Sequence, residues 1–295
     1  MRTGVSVLCA VMASACAPTP DGVVPEAGYA RPELLVSAEW LAGHAADPDV
    51  RVVDLRPRGY EEGHIPGAVH LANAAIRDPQ APPTFLPTVE AFERLMSQLG
   101  ISNGMRVVAY DERGGIYAAR LWWILNYFGH TNVALLDGGW RHWTAENLPT
   151  AAGAAAVEAA AFTARPNPAW VATADGVLAA IDRPGVKIVD ARTADEIEGR
   201  DLRNIRRGGA IPSSIPVYWE DALDPETHLF KPAGELRRLY EDKGITPQDE
   251  VIAYCQVGMR ASHDLFVLHL VGYDRLRNYY GAWEEWGNRE DLPIK

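Results

Sequence analysis

Two stretches of this chain are copies of one another. "VVAYDERGGIYAARLWWILNYFGHTNVALLDGGWRHWTAENLP", residues 107–149, aligns with "VIAYCQVGMRASHDLFVLHLVGYDRLRNYYGAWEEWGNREDLP", residues 251–293. Upstream, "VVDLRPRGYEEGHIPGAVHL", residues 52–71, answers "IVDARTADEIEGRDLRNIRRGGAIPSSIPV", residues 188–217, and the second copy carries an insertion. A repeat in preserved order fixes the architecture before any motif is interpreted, since each copy has to bury a core of its own. The chain is long enough for this: 295 residues allow two ordinary domains, and 47% hydrophobic with 23% charged residues is the composition of a soluble globular protein. We place the domains at 33–149 and 169–295, joined by 150–168. That joining segment begins "TAAGAAAVEAAA", which carries few large apolar side chains and suits a linker better than a core element.

Within each copy, short β-branched runs alternate with helical patterns. Residues 50–55, 106–110 and 133–136 read as strands in the first copy, and 187–190, 250–254 and 276–279 in the second. Helices are expected over 90–99, 117–128, 235–243 and 261–271. Alternation of this kind predicts the α/β class, each domain a parallel sheet flanked by helices. In such sheets ligands sit outside the carboxyl ends of the strands, where loops lead into helix N-termini.

The first residues are of another kind. Arg2, an apolar stretch over 5–15 and the small residues Ala13, Ser14 and Ala15 ahead of Cys16 read as an export signal over 1–15, with a Pro-containing tether over 16–32. The same small residues resemble a lipoprotein box, in which Cys16 would carry lipid, although Ala13 stands where leucine is usual. The expected location is therefore outside the cytoplasm, periplasmic or tethered to a membrane by that lipid. No other apolar run approaches the roughly 20 residues of a membrane helix. The net charge of -11 and the lack of a basic stripe with interleaved aromatics speak against nucleic acid as a partner.

With Cys9 inside the signal and Cys16 at its end, Cys255 is the remaining cysteine of the mature body, and no intramolecular disulfide is available to it. It follows the strand 250–254 directly and opens the loop Cys255-Gln256-Val257-Gly258-Met259-Arg260. A loop curling from a strand end into a helix N-terminus turns backbone N–H groups inward, and the helix dipole adds positive potential at the same point. Gly258 supplies the backbone freedom for the curl, and Arg260 closes it with a permanent charge. Such a cradle favours a thiolate over a thiol, and it would equally hold a persulfide formed by attack on a sulfur donor. A lone cysteine ending a buried strand is more often a small core residue; the loop is what points to sulfur transfer.

Both copies resemble rhodanese domains, and the mature chain resembles the tandem-domain rhodaneses. The resemblance rests on "EGHIPGAV" (62–69), the strand-end Asp54 and Asp190, "YDERGGIYAARLWW" (110–123) and the Cys255 loop, in family order. It implies a catalytic second domain with Cys255 as nucleophile and a silent first domain with Asp111 in the equivalent position, where by itself an aspartate would read as a turn or capping residue. It implies an active site facing the domain interface, with Ile116 and Tyr117 as pocket wall, and it aligns Arg200 with the family's substrate-binding arginine. The substrates implied are a small sulfur donor, thiosulfate or 3-mercaptopyruvate, and a thiophilic acceptor such as cyanide or a thiol. No organic cofactor and no metal is implied.

Two departures stand out. Ala210-Ile211-Pro212-Ser213-Ser214 replaces His64-Ile65-Pro66-Gly67-Ala68, so the second copy lacks that histidine and glycine and is expected to depart from the loop's usual geometry. His64 reads as structural, and His263, one turn into the helix after Cys255, as a packed or solvated residue. Two rival functions are weighed. Phosphatases or arsenate reductases of related fold place five residues between cysteine and arginine, whereas four separate Cys255 from Arg260. A non-catalytic binding module would have no need of Cys255.

Overall fold

The computed structural model describes residues 28–81 and 85–295, so the expected signal, most of the tether and Cys16 lie outside the described residues. In the first half, β1 (Leu35–Val36), α1 (Ala38–His44), β2 (Val50–Asp54), β3 (Val69–His70), α2 (Val89–Gln98), β4 (Arg106–Tyr110), α3 (Ile116–Tyr127), β5 (Val133–Leu136) and α4 (Gly139–Ala145) follow in order. The second half repeats them with one added helix, α6: β6 (Val171–Ala172), α5 (Ala174–Leu178), β7 (Val186–Asp190), α6 (Ala194–Ile197), β8 (Ile215–Pro216), α7 (Ala233–Glu241), β9 (Glu250–Tyr254), α8 (Met259–Leu270), β10 (Leu276–Tyr279) and α9 (Ala282–Trp286). Each half holds a five-stranded sheet, in the orders β1-β5-β4-β2-β3 and β6-β10-β9-β7-β8. The pairings are parallel throughout, and β2 meets β4 from Val50 opposite Arg106 just as β7 meets β9 from Val186 opposite Glu250.

All six anticipated strands and all four anticipated helices are present, with ends displaced by at most two residues. The two-residue strands and the shorter helices escape periodicity because they span too few residues to show a period. Their starts are nevertheless written locally. Ser37, Thr173 and Thr193 cap α1, α5 and α6 with side-chain oxygens, and Thr193 with Glu196 forms a reciprocal capping box.

The halves meet along α3 and α8, the two helices that follow the equivalent loops. Both are buried almost all round, as central helices must be. Trp122 of α3 packs edge-on against Phe266 of α8 with ring centroids 5.3 Å apart. The segment 150–168 crosses the first half: Ala151 bridges to His64, Ala160 donates to the Ser97 carbonyl, and Phe162 is buried against Phe92.

The same buried device locks each sheet end. Asp54 receives Arg56 through Nε and Nη2 and the Tyr110 hydroxyl at 2.6 Å; Asp190 receives Arg192 in the same way and the Tyr254 hydroxyl at 2.5 Å. The guanidinium carbons lie 4.1 and 4.2 Å from the ring centres of Trp140 and Trp283. Pairing of this sort is what allows charges to sit in a core, with Arg192 Nη1 the one guanidinium nitrogen of the two devices that is buried without a partner among the described residues.

The expected departure of the loop at 210–214 does not occur. Ser214 donates to the Ile211 carbonyl as Ala68 does to Ile65, and Ile211 donates to the Tyr254 hydroxyl as Ile65 does to Tyr110. Ser213 adopts φ 59°, near the 78° of Gly67, so a serine takes the left-handed place that the first half gives to glycine. Hydrogen bonds on both sides over-determine the turn and hold the serine there. His64 is buried, stacked on Tyr60, with Nδ1 2.8 Å from the Tyr60 carbonyl, as a structural histidine should be.

Candidate active site

The loop after β4 shows what this architecture does to a negative group. The Asp111 carboxylate is buried and accepts four backbone N–H bonds: Arg113 at 2.7 Å and Gly115 at 3.0 Å on Oδ1, Tyr117 at 2.7 Å and Ala118 at 3.0 Å on Oδ2. Burial pushes its carboxyl above the usual carboxylate range, and the four N–H groups oppose that shift. The loop and the first turn of α3 are therefore an anion cradle, filled by the chain's own side chain.

Cys255 occupies the equivalent place after β9. The Trp283 N–H donates to its carbonyl at 2.9 Å, as Trp140 does to the carbonyl of Asp111 at 2.8 Å. Gly258, like Gly115, starts its helix in the left-handed region, at φ 77° against 83°. A Cβ there would fall 2.2 Å from the ring of Tyr280, so the turn needs glycine for space as well as for conformation. Cys255 itself is 1% exposed and its thiol is free. Gln256 contributes its carbonyl, which receives the Glu284 N–H and ties the loop to α9. Val257 lies in the turn, and Met259 begins α8 and packs on the core.

Arg260, in the first turn of α8, is held bidentately by Glu196, at 2.6 and 2.7 Å, and the charges of Glu196 and Cys255 raise its guanidinium against burial. It stands where Tyr117 stands in the first half, so the two helices enter the interface with different second residues. Burial alone would raise the Glu196 carboxyl, but the Arg260 guanidinium outweighs it and holds the group down at about 2. The reading of the sequence did not include Glu196. Its signal was the spacing Thr193-x-x-Glu196, which is both a capping box and the means of presenting this carboxylate.

Arg200, by contrast, is turned to the surface, its side chain 56% exposed and engaged by Asp195 and Glu198. The arginine two residues after the strand-end aspartate is Arg192, buried in the Asp190 pair. Ile116 is buried in the core cluster that draws on both halves, and Tyr117 packs against it. His263 is fully buried, donates from Nε2 to the Gly114 carbonyl at 3.0 Å across the interface and stacks on Phe230. Burial lowers it to about 4, so it is neutral at ordinary pH and serves packing.

A rhodanese-like domain model matches the chain twice, over residues 37–146 and 173–289. The chain belongs to the rhodanese-like family. It is 37% identical over 285 residues to the thiosulfate sulfurtransferase of Corynebacterium glutamicum, covering 90% of this chain and 92% of that one. It is 36% identical over 289 residues to the sulfur carrier protein TtuD of Thermus thermophilus, covering 90% and 98%. Among solved structures, SseA of Escherichia coli, a 3-mercaptopyruvate sulfotransferase with the rhodanese fold, superposes with a TM-score of 0.77 at 30% identity, covering 85% of this chain and 98% of that one. These matches span both halves, so it is the tandem arrangement, and not one domain alone, that the chain shares with its relatives.

Proposed function

We propose that this sulfurtransferase takes its sulfur from thiosulfate and passes it on through a persulfide on Cys255. The Cys255 thiolate attacks the outer sulfur of thiosulfate; the new S–S bond forms as the bond to the sulfonate sulfur breaks, and the electron pair leaves with sulfite. A thiophilic acceptor, cyanide or a thiolate, then takes the terminal sulfur and returns Cys255 to its thiolate, so the cycle needs no external oxidant or reductant. The observation that carries the choice of donor is Arg260, the guanidinium that closes the Cys255 loop and is fixed by Glu196. Thiosulfate is a dianion, with charge close to the attacked sulfur, and a fixed cation at that point favours it over 3-mercaptopyruvate, whose carboxylate lies further out. Mercaptopyruvate enzymes of the family have small neutral residues in this loop. The name of the Corynebacterium relative supports the same donor.

The test is kcat/KM for both donors with cyanide as acceptor, read as thiocyanate. Thiosulfate is expected to give the higher value; higher efficiency with 3-mercaptopyruvate overturns the assignment of donor and leaves the persulfide cycle standing. Failure to form thiocyanate from either donor would turn the protein into a binding module. Export through residues 1–15, with lipid on Cys16, belongs to the same reading on the strength of Ala13-Ser14-Ala15-Cys16. The mass of the mature protein decides it: an unprocessed or unlipidated N-terminus refutes the signal or the lipid, respectively.

A further inference from the structure

The repeat makes one substitution conspicuous. The loop that follows β5 reads Asp137-Gly138-Gly139-Trp140, and its counterpart after β10 reads Tyr280-Gly281-Ala282-Trp283. Where the first half carries an acid beside its cradle, the second carries a phenol. Asp137 is buried, accepts the Phe230 N–H at 3.0 Å and is pushed up by burial to about 7. Tyr280 is fully buried, its ring lies against Gly258 of the cysteine loop, and its hydroxyl accepts from Arg120 Nε at 2.6 Å.

Arg120 comes from α3, in the other half of the molecule, and is 3% exposed. Nε is taken up by Tyr280, but its Nη2 is buried with no hydrogen-bond partner among the described residues. A buried guanidinium nitrogen left unpaired is costly, and a donor beside the interface is one that an oxyanion can satisfy. Arg77, from the same half, lies over the Tyr280 ring at 5.7 Å, is paired with Glu284 at 2.5 Å, and also keeps a buried, unpartnered Nε. The residue equivalent to Arg120 in α8 is His263, neutral and engaged by Gly114, so the cations converge at the Cys255 side of the interface and not at the Asp111 side. Burial pushes the Tyr280 phenol up, the two arginines oppose this, and Cys255 adds to it. The phenol thus keeps its proton at neutral pH, and because its oxygen already accepts from Arg120, that proton is free to donate.

We propose that Tyr280 and Arg120, one from each half, form a donor pair that holds the anionic head of the sulfur donor beside Cys255. The Tyr280 O–H and Arg120 Nη2 present two hydrogens to an oxyanion, and Arg77 adds charge behind the ring. With thiosulfate the head is the sulfonate, and the pair stays on it as the S–S bond breaks and the electron pair departs with sulfite. With 3-mercaptopyruvate the head would be the carboxylate. On this account the first half is silent in bond making and still supplies part of the substrate site, which explains why a site facing the interface requires both halves. The inference rests on the sulfurtransferase reading and not on which donor is preferred.

The experiment compares the wild type with Tyr280→Phe, Arg120→Gln and Arg120→Lys, using both donors and, for thiosulfate, inhibition by sulfite. Tyr280→Phe keeps the ring that Gly258 packs against and removes one donor. For whichever donor the wild type prefers, its KM is expected to rise about 10- to 100-fold, the scale of losing a hydrogen bond to a charged group. Sulfite inhibition should weaken by a similar factor where thiosulfate is the donor. Discharge of a preformed persulfide by cyanide should stay within about two-fold, since the donor's head has already left. Arg120→Gln should behave alike and Arg120→Lys should recover part of the loss; if Arg120→Gln does not fold, Tyr280→Phe decides alone. Unchanged donor KM in Tyr280→Phe overturns the inference, as does a discharge step slowed as much as loading, which would place the pair on the cysteine and not on the donor. A wild type that prefers 3-mercaptopyruvate refutes the donor assignment only, and the variants are then judged with that substrate.

Discussion

Asp111 and Cys255 sit at the end of the same strand, in the same turn, before the same helix, and differ in what they ask of the cradle. At Asp111 the four N–H groups are satisfied by a carboxylate that is part of the chain, so no external anion can enter. At Cys255 the side chain is one thiol, and the charge nearest it in the chain comes from elsewhere: Arg260 at the second position of α8 with Glu196 behind it, while Arg120 and Arg77 from the opposite half meet Tyr280, whose ring packs on the cysteine loop. A cradle filled from within is a structural knot; one that holds a free cysteine is, on the proposed function, a reaction centre. One fold hosts both because backbone geometry makes the cradle and side chains decide its use.

The comparison is broken most directly at Cys255. Cys255→Ser is nearly isosteric, so the circular dichroism spectrum and Tm should stay close to wild type, while thiocyanate formation falls at least about 1,000-fold because a hydroxyl does not act as the sulfur nucleophile here. Retained turnover would mean that the halves do not divide as described and that sulfur is carried elsewhere.

Arg260 is next. Arg260→Ala is expected to lower thiosulfate turnover about 10- to 1,000-fold, the range for removing a charge-stabilising donor. It also removes the bidentate partner of Glu196, whose side chain is 1% exposed and keeps the two Thr193 donors and Arg203 at 3.6 Å, at a cost of about 1–3 kcal/mol in stability. These two effects separate by pH. Glu196 is depressed from 4.5 to about 2 in the folded protein, so the pair's stabilisation is fully present above about pH 4.5 and is lost as pH falls toward 2. The difference in Tm between wild type and variant should therefore be widest near neutral pH and close in acid, whereas the loss of turnover persists at neutral pH even at temperatures where both proteins are folded. A Tm gap that does not narrow in acid would show that Arg260 stabilises by something other than Glu196.

Asp111→Ala inverts the pattern. It removes the acceptor of four backbone donors, costs a few kcal/mol and lowers Tm by roughly 5 °C or more. Turnover of the folded fraction should remain within about ten-fold of wild type, since no reacting atom is removed. A much larger loss of kcat with the fold intact would make the first half part of the chemistry itself.

The repeat, the six strands and the cysteine loop were legible because each is a local pattern: short β-branched runs, a turn glycine, a nucleophile at a strand end. Arg120, Tyr280 and Glu196 were not, because their meaning lies in contacts of 160 and 64 residues' separation that no spacing announces. Arg200 shows the opposite failure. The insertion in the second copy loosens the alignment at that point, and an arginine near the right motif was read as a ligand when its own neighbours Asp195 and Glu198 hold it at the surface. Ser213 shows that a missing glycine does not abolish a turn when hydrogen bonds at both of its ends enforce it.

The smallest effect we predict concerns Ala282, which sits at φ 55° where the first half has Gly139 at φ 53°. A left-handed alanine costs roughly 1–2 kcal/mol, and it is tolerated here because the Trp283 N–H to the Cys255 carbonyl and α9 fix the chain on its far side. Ala282→Gly relieves that strain and at the same time adds conformational freedom to the unfolded chain, which takes back about 0.5–1 kcal/mol. The net gain should be under about 1 kcal/mol, or a rise in Tm of about 1–3 °C. Because residue 282 adjoins the hydrogen bond that holds the Cys255 carbonyl, and the first half keeps the same bond with glycine at that place, kcat with thiosulfate should fall by no more than about three-fold as Tm rises. Matched thermal melts and steady-state rates check this. A fall in Tm would show that the methyl group of Ala282 contributes packing that outweighs its strained backbone, and that the second half has adapted to a side chain that the first could not accept, since a Cβ on Gly139 would lie 2.2 Å from the Asp111 carbonyl oxygen.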